Sequence, residues 1–200
     1  MKLTEGCLNE IGACKEGIKW FKNQTETNGI KVVAKLIKQK RLGWANWIIA
    51  RMLNKINKVR YAVYSAELVI DMFEKQYQND NRPRKSIECA KAWIKNPSEE
   101  NRKKCASAAA AAYASESASE AAYSAESESA NESESAYSAA YAYSAAYASV
   151  YASVSAYESA SAYAYAYAKN KLQIKILKYG ITLLKSQGEL RNSRKRKRNI

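Results

Sequence analysis

The sequence predicts an all-α protein, a single multi-helix bundle in which long Ala/Ser/Tyr-rich helices fold back on the N-terminal helices. Three observations support this fold class. Through the first hundred residues, apolar side chains recur at the three-to-four-residue spacing of one helix face. Residues 106–168 contain 26 Ala and no Gly or Pro, and Ala is the strongest helix former. After residue 168, Leu and Ile again follow helical spacing.

The Ala/Ser/Tyr-rich stretch, residues 106–168, also shows the alternation of a β-strand from residue 136 onward. A strand is disfavoured because Ala and Glu are depleted in strands. In a helix, one face collects the larger side chains, Tyr143, Tyr147, Val150, Tyr151 and Val154. A single helix of this length would measure about 95 Å, so we predict that the stretch folds back, with a break at residues 126–135. A disordered or spacer-like tract is the alternative that such composition leaves open.

Five helices are predicted before this stretch. The fourth has the most regular face, which runs from Val59 through Ala62, Val63, Ala66, Val69, Ile70 and Phe73 to Tyr77. The predicted bounds are Ile11 to Phe21, Ile30 to Lys40, Trp44 to Leu53, Val59 to Tyr77, and Pro83 to Ile94.

The predicted core includes the second and third of these helices. The second is expected to bury Ile30, Val33, Ala34 and Ile37. The third, WANWIIARML, is so apolar that it is expected to be largely buried, anchored by Trp44, Trp47, Ile48 and Met52. A capping box is expected to begin the Ala-rich stretch, with Asn96 as N-cap, Pro97 at the first position and Glu99 at the third.

The chain divides into four predicted regions. Residues 1–104 form an N-terminal helical part, residues 105–168 the Ala/Ser/Tyr-rich helices, and residues 169–188 a closing amphipathic helix that ends at Gly188. Residues 189–200 are predicted to be a disordered basic tail. Charge follows a related division: the first 104 residues carry a net +11, residues 106–168 carry −7, and the last 32 residues carry +10.

Composition disfavours most catalytic and cofactor chemistry. The chain has no His, the commonest general base, and no Gly-rich loop precedes a predicted helix. Its four cysteines lack metal-ligand spacing, so reduced buried thiols are expected. No catalytic residue, metal or cofactor is therefore predicted, and the chain is not expected to be an enzyme. No run of apolar residues is long enough to span a membrane, so a cytoplasmic protein with no membrane partner is expected.

The basic C-terminus suggests contact with nucleic acid. Cations attract phosphate without reading sequence, so the expected binding is non-specific and sensitive to salt. The candidate residues are Arg191, Arg194, Lys195, Arg196, Lys197 and Arg198.

A set of dispersed motifs carries a resemblance to a known family. The motifs are Ala13-Cys14-Lys15-Glu16-Gly17 with Trp20-Phe21, Trp44-Ala45-Asn46-Trp47 with Ala50-Arg51, Tyr61-Ala62-Val63-Tyr64-Ser65-Ala66-Glu67, Phe73-Glu74-Lys75, and Asp80-Asn81-Arg82-Pro83-Arg84. In this order, and followed by a long Ala/Tyr/Ser tract, the set resembles the immunity protein family of bacterial toxin systems and its alanine-rich phage relatives. The resemblance covers residues 8–185.

The resemblance implies an all-helical cytosolic protein that acts by binding a protein partner, either a toxin or a defence component. The polar members of the motifs would then form the binding surface: Glu16, Asn46, Arg51, Glu67, Asp80, Arg82 and Arg84. The same side chains could instead form internal hydrogen bonds and ion pairs that fix how the helices pack. A nucleic-acid-associated accessory protein, possible through the basic head and tail, is the alternative function; the sequence does not define the oligomeric state.

Overall fold

The structure is a computed structural model that describes residues 2–76, 78–114 and 162–198. Within these ranges it contains α-helices and no β-strand, apart from an isolated bridge between Lys2 and Asn28. The all-α prediction is therefore confirmed. The helices are α1 (Glu5–Glu10), α2 (Lys15–Lys22), α3 (Gly29–Lys38), α4 (Leu42–Met52), α5 (Lys55–Glu67), α6 (Ile70–Gln76), α7 (Arg82–Lys95), α8 (Glu99–Ala114) and α9 (Ala162–Arg198).

The chain divides into two compact units, and the boundaries differ from those predicted. Unit 1 comprises residues 1–54 and 173–200, and unit 2 comprises residues 55–172. The predicted division at residue 104 is wrong because α8, which crosses it, packs against α7 in unit 2. A change in composition at that point does not interrupt the helix or its packing.

Unit 1 has an apolar core to which each of its helices contributes. The N-terminal segment joins it through the Leu3 amide, which donates a hydrogen bond to the Thr27 carbonyl oxygen over 2.7 Å. The fully buried side chains include Leu3, Val32, Val33, Leu36, Ile49 and Leu177. The predicted inner face of α3 is corrected: Val32, Val33 and Leu36 are buried, whereas Ala34 is exposed.

The tryptophans of α4 are less buried than predicted. The buried face of this helix consists of Ala45, Ile48, Ile49 and Met52, which confirms two of the four predicted anchors. Trp44 and Trp47 lie outside that face and are half-buried. Because an apolar helix can bury only the face that its neighbours cover, the two large rings remain in partial contact with solvent.

A glutamine from α9 completes the end of α4. The Gln187 side chain accepts a hydrogen bond from the Asn54 amide over 2.8 Å and donates one to the Met52 carbonyl oxygen over 3.1 Å. Carbonyl groups in the last turn of a helix have no partner within the helix. Gln187 therefore supplies both a donor and an acceptor at this helix end, and it fixes α9 against residues 52–54.

Unit 2 is organised around the faces of α5 and α7. Its core cluster consists of Val59, Val63, Ala66, Ile70, Ile87, Ala90 and Trp93. The predicted face of residues 59–70 is confirmed, but the single helix from Val59 to Tyr77 is not. Between α5 and α6 the Val69 amide donates to the Ala66 carbonyl oxygen, three residues back instead of four, and this tighter turn separates the two helices. The side chains of residues 73 and 77 lie outside the described part.

Ser98, rather than Asn96, is the N-cap of α8. Its hydroxyl oxygen accepts a hydrogen bond from the Asn101 amide over 3.2 Å, and its carbonyl oxygen accepts from the Arg102 amide. The predicted capping box was placed two residues too early. Asn96 instead ends α7, with its own amide bonded to the Ala92 carbonyl oxygen. Residues 96–98 therefore cap the end of α7 and the start of α8.

The last helix is longer than predicted at both ends. It begins at Ala162 and continues through Gly188 to Arg198, so Gly188 does not end it, and the prediction of a disordered tail is wrong for residues 189–198. One Gly in a helix interior costs only about 1 kcal/mol relative to Ala. Lys and Arg are good helix formers, and they are favoured near a helix C-terminus because their positive charge is attracted to the negative end of the helix dipole.

The Ala/Ser/Tyr-rich stretch is helical at both of its described ends, residues 106–114 and 162–168. The predicted fold-back, the break at residues 126–135 and the face formed by residues 143–154 lie outside the described residues.

Two helix ends in unit 1 use the same C-cap motif with different residues. In each, a residue with positive φ follows the helix: Gly12 (φ 77°) after α1 and Lys40 (φ 58°) after α3. The next amide bonds back into the helix, from Ala13 to the Leu8 carbonyl oxygen and from Arg41 to that of Leu36. Glycine adopts this conformation without steric cost, whereas lysine does not.

We therefore expect Lys40→Gly to stabilise the protein by about 0.5–1 kcal/mol and Gly12→Ala to destabilise it by about 1 kcal/mol. A Cβ at residue 12 meets no atom within 4 Å, so the loss would come from the backbone alone. Urea unfolding followed by circular dichroism would measure both changes. Destabilisation by Lys40→Gly would show that the Lys40 side chain makes a contact worth more than the backbone cost.

Candidate functional site

The first motif of the polar set begins a helix. Cys14 is the N-cap of α2, and its Sγ accepts a hydrogen bond from the Gly17 amide over 3.3 Å. A Cβ at residue 17 would lie 3.3 Å from the same sulfur atom, which explains why glycine fits here. Glu16 is exposed in the first turn of α2, where a negative charge interacts favourably with the positive end of the helix dipole. The motif thus has a clear local structural role.

The Asp80–Arg84 motif joins α6 to α7 through ion pairs. Asp80 accepts two hydrogen bonds from the Arg82 guanidinium group, over 2.8 and 2.7 Å, and a third from the Arg82 amide. Arg84 reaches back to α6, where it binds both carboxylate oxygens of Glu74 and the Asp71 carboxylate over 3.1 Å. Three carboxylates and two guanidinium groups are therefore held together where α7 begins.

These contacts shift the pKa values of the paired groups in the directions expected for ion pairs. Hydrogen bonds from Arg84 lower the pKa of Glu74, and hydrogen bonds from Arg82 lower that of Asp80. The pKa values of both guanidinium groups are raised, mainly by the hydrogen bonds to their carboxylate partners. All four groups are therefore charged at neutral pH.

We expect acid to destabilise unit 2 in part through Glu74. Its pKa is lower in the folded protein than the ordinary value of 4.5, so its stabilising effect is complete above about pH 5 and is lost as the pH falls through the lowered pKa. The urea midpoint of the wild-type protein should fall between about pH 5 and about pH 3, and less steeply in Arg84→Gln. Lys75→Gln, an exposed neighbour on α6, provides a charge-matched control. Identical pH profiles for all three proteins would contradict this role of Arg84.

Two other members of the polar set, Glu67 and Arg51, also contact residues of their own units. Glu67, at the end of α5, forms an ion pair with Lys91 of α7. On α4, the Arg51 guanidinium lies 5.4 Å from the centre of the Trp47 ring, and Asn46 is half-buried and has an interaction partner. Glu16, Asn46 and Arg51 belong to unit 1, whereas Glu67, Asp80, Arg82 and Arg84 belong to unit 2. The ion pairs of Glu67, Asp80, Arg82 and Arg84 all lie within unit 2.

Unit 1 also contains a second candidate site, which was not predicted. We call it the tryptophan corner, and it consists of Trp20, Gln39, Arg41 and Trp44. The Trp20 indole Nε1 donates to Gln39 Oε1 over 2.9 Å. The Trp20 and Trp44 rings meet edge to face, with their centres 6.3 Å apart. The Arg41 guanidinium lies 4.5 Å from the centre of the Trp44 ring.

The tryptophan corner is accessible to solvent. Its two rings are half-buried, while Gln39, Lys40 and Arg41 are exposed. Its residues come from α2, the turn after α3, and α4, and residues 20 and 39 are 19 positions apart. Sequence periodicity finds one helix face at a time, so only the presence of two tryptophans and a nearby run of cations could have suggested this surface.

The net charge of the protein resides in unit 1. By sequence, unit 1 contains 19 Lys and Arg against 5 Asp and Glu, whereas unit 2 contains 14 of each. The Lys and Arg side chains of unit 1 whose exposure is described are all exposed. Ion pairs join Lys22 to Glu5 and Lys31 to Glu26. Five carboxylates cannot neutralise 19 cations, so unit 1 presents a strongly positive surface.

The predicted tail residues lie at the end of α9. Arg191 is exposed, and the backbone of Arg194, Lys195, Arg196, Lys197 and Arg198 continues the helix. The tail belongs to unit 1 together with the tryptophan corner. Its cations are therefore part of a helix rather than a flexible extension, as far as Arg198.

The four cysteines are free thiols, but the expectation that they are buried is wrong: Cys7, Cys89 and Cys105 are half-buried and Cys14 is exposed. In unit 2, Cys105 of α8 packs against the core cluster, and burial, followed by a hydrogen bond with Cys89, raises the pKa of Cys105 to about 12. A thiol with so high a pKa is a poor nucleophile at neutral pH. Among the described residues, no group of three or more Cys, His, Asp or Glu side chains could hold a metal ion. Over the same ranges, no helix combines the length and the apolar character needed to cross a membrane.

The fold and these contacts define an all-α protein with a neutral helical unit and a basic helical unit. The profile of the Family of unknown function (DUF6931) matches residues 32–173, which is more than two thirds of the chain. The chain belongs to this family. Neither the curated proteins nor the solved structures gave a match. The matched region contains Asn46, Arg51, Glu67, Asp80, Arg82 and Arg84, and it excludes Glu16 and the basic tail.

Proposed function

We propose that this protein is a non-enzymatic helical binding protein of the immunity or anti-defence type, which acts in the cytosol by sequestering an acidic protein partner. The resemblance of the dispersed motifs to immunity proteins motivates the type of function. The proposal that the partner is acidic rests on the excess of 14 positive charges in unit 1. Complementary charge accelerates association and selects among partners, so an acidic toxin or defence component is the appropriate class.

The polar motif residues support this binding indirectly. Most of them have a partner within their own unit: Arg82 pairs with Asp80, Arg84 with Glu74, and Glu67 with Lys91. Breaking such pairs to bind another protein would cost the contacts already made. We therefore assign these residues to positioning the helices, and the exposed cations of unit 1 to partner recognition.

Affinity capture from the cells that naturally produce the protein would test the proposal. Wild type would be compared with a triple variant of exposed α3 lysines, Lys31→Glu, Lys35→Glu and Lys38→Glu, after nuclease treatment. A triple variant of exposed unit 2 lysines, Lys75→Glu, Lys85→Glu and Lys95→Glu, would control for total charge. We expect an acidic protein in stoichiometric amount with the wild type and the unit 2 variant, and less with the α3 variant. Loss of all retained protein after nuclease treatment would contradict sequestration.

Nucleic-acid association is a second candidate function, and the helical tail is the observation that favours it. An α-helix can enter the major groove of duplex DNA, and α9 ends with six cations within residues 191–198. A structured basic helix can hold these charges in a fixed spacing, whereas the predicted disordered tail could not.

Deletion of residues 191–200 should weaken duplex DNA binding and flatten its dependence on salt. Each phosphate contact contributes about 0.9 to the slope of log affinity against log salt concentration, so removal of up to six contacts should be readily measured by fluorescence anisotropy. Thermal stability should remain unchanged, since Leu190 and Arg191 are already exposed. Unchanged affinity after the deletion would reject the tail as the binding element.

A further inference from the structure

We propose that the tryptophan corner is a binding site for single-stranded nucleic acid. The inference deepens the second candidate function, and it places a base-stacking site in unit 1, apart from the tail cations. Proteins that bind single strands without sequence preference combine exposed aromatic rings with cations along the path of the phosphates. The corner offers both kinds of group within one small surface.

The rings are arranged so that a ligand can reach them. Trp20 and Trp44 are half-buried, so each is anchored in the protein and also meets solvent. The hydrogen bond from Trp20 to Gln39 and the edge-to-face contact with Trp44 fix the orientation of both rings. A preorganised ring loses little entropy when a base stacks on it.

The turn that precedes Arg41 contains a residue, Lys40, whose backbone is held in an unfavourable conformation. Lys40 adopts positive φ, and the turn that it makes leads directly to Arg41, whose guanidinium lies over the Trp44 ring. Lys38, Lys40 and Arg41 are all exposed in this short segment. Non-glycine residues with positive φ occur disproportionately at functional sites.

At the tryptophan corner, charge and ring chemistry together favour a nucleic acid over an acidic protein as the ligand. Carboxylates of a protein would use the cations of the corner but not its rings. Every nucleotide brings a phosphate and a base with a π face, so it uses both. Unit 1 carries 19 cations against 5 carboxylates, which suits a continuous polyanion that extends past the corner.

Binding of a short fluorescein-labelled oligothymidylate to the full chain, followed by anisotropy over a salt series, would test the site. Trp44→Leu should weaken binding by about 5-fold or more, the loss expected for one stacked base. Trp47→Leu is the matched control, because Trp47 is also a half-buried tryptophan of α4 with a guanidinium near its ring. It should bind like the wild type.

A second pair of variants keeps the test valid if Trp44→Leu fails to fold. Arg41→Gln should reduce the slope of log affinity against log salt by about 0.7, as for one lost single-strand phosphate contact. Lys85→Gln, which removes an exposed cation of unit 2 on α7, should leave that slope unchanged. Circular dichroism would verify that each variant is folded.

The outcomes separate this site from the tail and from an acidic protein. If the corner variants bind like the wild type while deletion of residues 191–200 abolishes binding, the tryptophan corner is not the binding site. Nucleic-acid association through the tail would then be supported. If polyglutamate of equal charge displaces the oligonucleotide as well as unlabelled oligothymidylate does, the corner recognises carboxylates and the inference fails. Absence of oligothymidylate binding to the wild type would overturn it outright.

Discussion

Trp93→Ala should be among the most destabilising substitutions in the protein, with an expected loss of about 3–5 kcal/mol. Only 5% of Trp93 is exposed, and the residue belongs to the core cluster that α5 and α7 form in unit 2. The centre of its ring also lies 5.3 Å from the Lys55 ammonium nitrogen, so truncation removes apolar packing and a cation–π contact together. Such a loss is a large part of the total stability of a typical domain, about 5–15 kcal/mol.

Urea unfolding followed by circular dichroism would measure this loss, because that signal does not depend on the missing indole. Trp47→Ala provides the control: Trp47 is half-buried, so its truncation should cost clearly less. If Trp47→Ala proved the more damaging change, the principal core would lie in unit 1 and the importance given to the α5–α7 cluster would be wrong.

Leu177→Ala should cost about 2–5 kcal/mol, the range for a buried leucine. Leu177 is 2% exposed on α9 and contributes to the core of unit 1. The same helix contains Leu190, which is 61% exposed. Leu190→Ala should therefore change the free energy of unfolding by less than about 0.5 kcal/mol, the usual range for surface positions.

The two leucine variants share residue type, helix and substitution, so burial is the main difference between them. Thermal and urea unfolding of both proteins would compare them directly. Equal losses would mean that α9 does not dock through Leu177. A large loss for Leu190→Ala would mean that the basic end of α9 packs on the protein, and the deletion of residues 191–200 would then also lower stability.

Helix faces were predicted well where a single periodic pattern governs them. Residues 59–70 were placed correctly because Val, Ala and Ile recur at helical spacing and their neighbours bury all of them. The face of α3 was misplaced by about one position, since Val32, Val33, Leu36 and Ile37 give two overlapping apolar stripes. Periodicity cannot choose between two such stripes, because the neighbouring helices decide which one is buried.

Helix ends and the candidate site were harder to predict, for different physical reasons. Gly188 was assigned to a helix end because Gly often follows one, yet the good helix formers on both sides outweigh its modest cost. The tryptophan corner depends on side chains 19 residues apart that meet through tertiary packing. Local sequence rules describe neither the long-range pairing nor the orientation of the two rings.

The contacts of Gln187 with residues 52 and 54 have a consequence for how the protein is made on the ribosome. These partners are separated by more than 130 residues, and the whole of unit 2 lies between the two parts of unit 1. Unit 2 can therefore fold during synthesis, since domains generally fold as units as they emerge. The first 54 residues lack the buried leucines of α9, Leu177, Leu183 and Leu184, until residues 173–187 have been translated, so the core of unit 1 stays incomplete during that time. Slow translation between these two points would lengthen that vulnerable interval and increase aggregation.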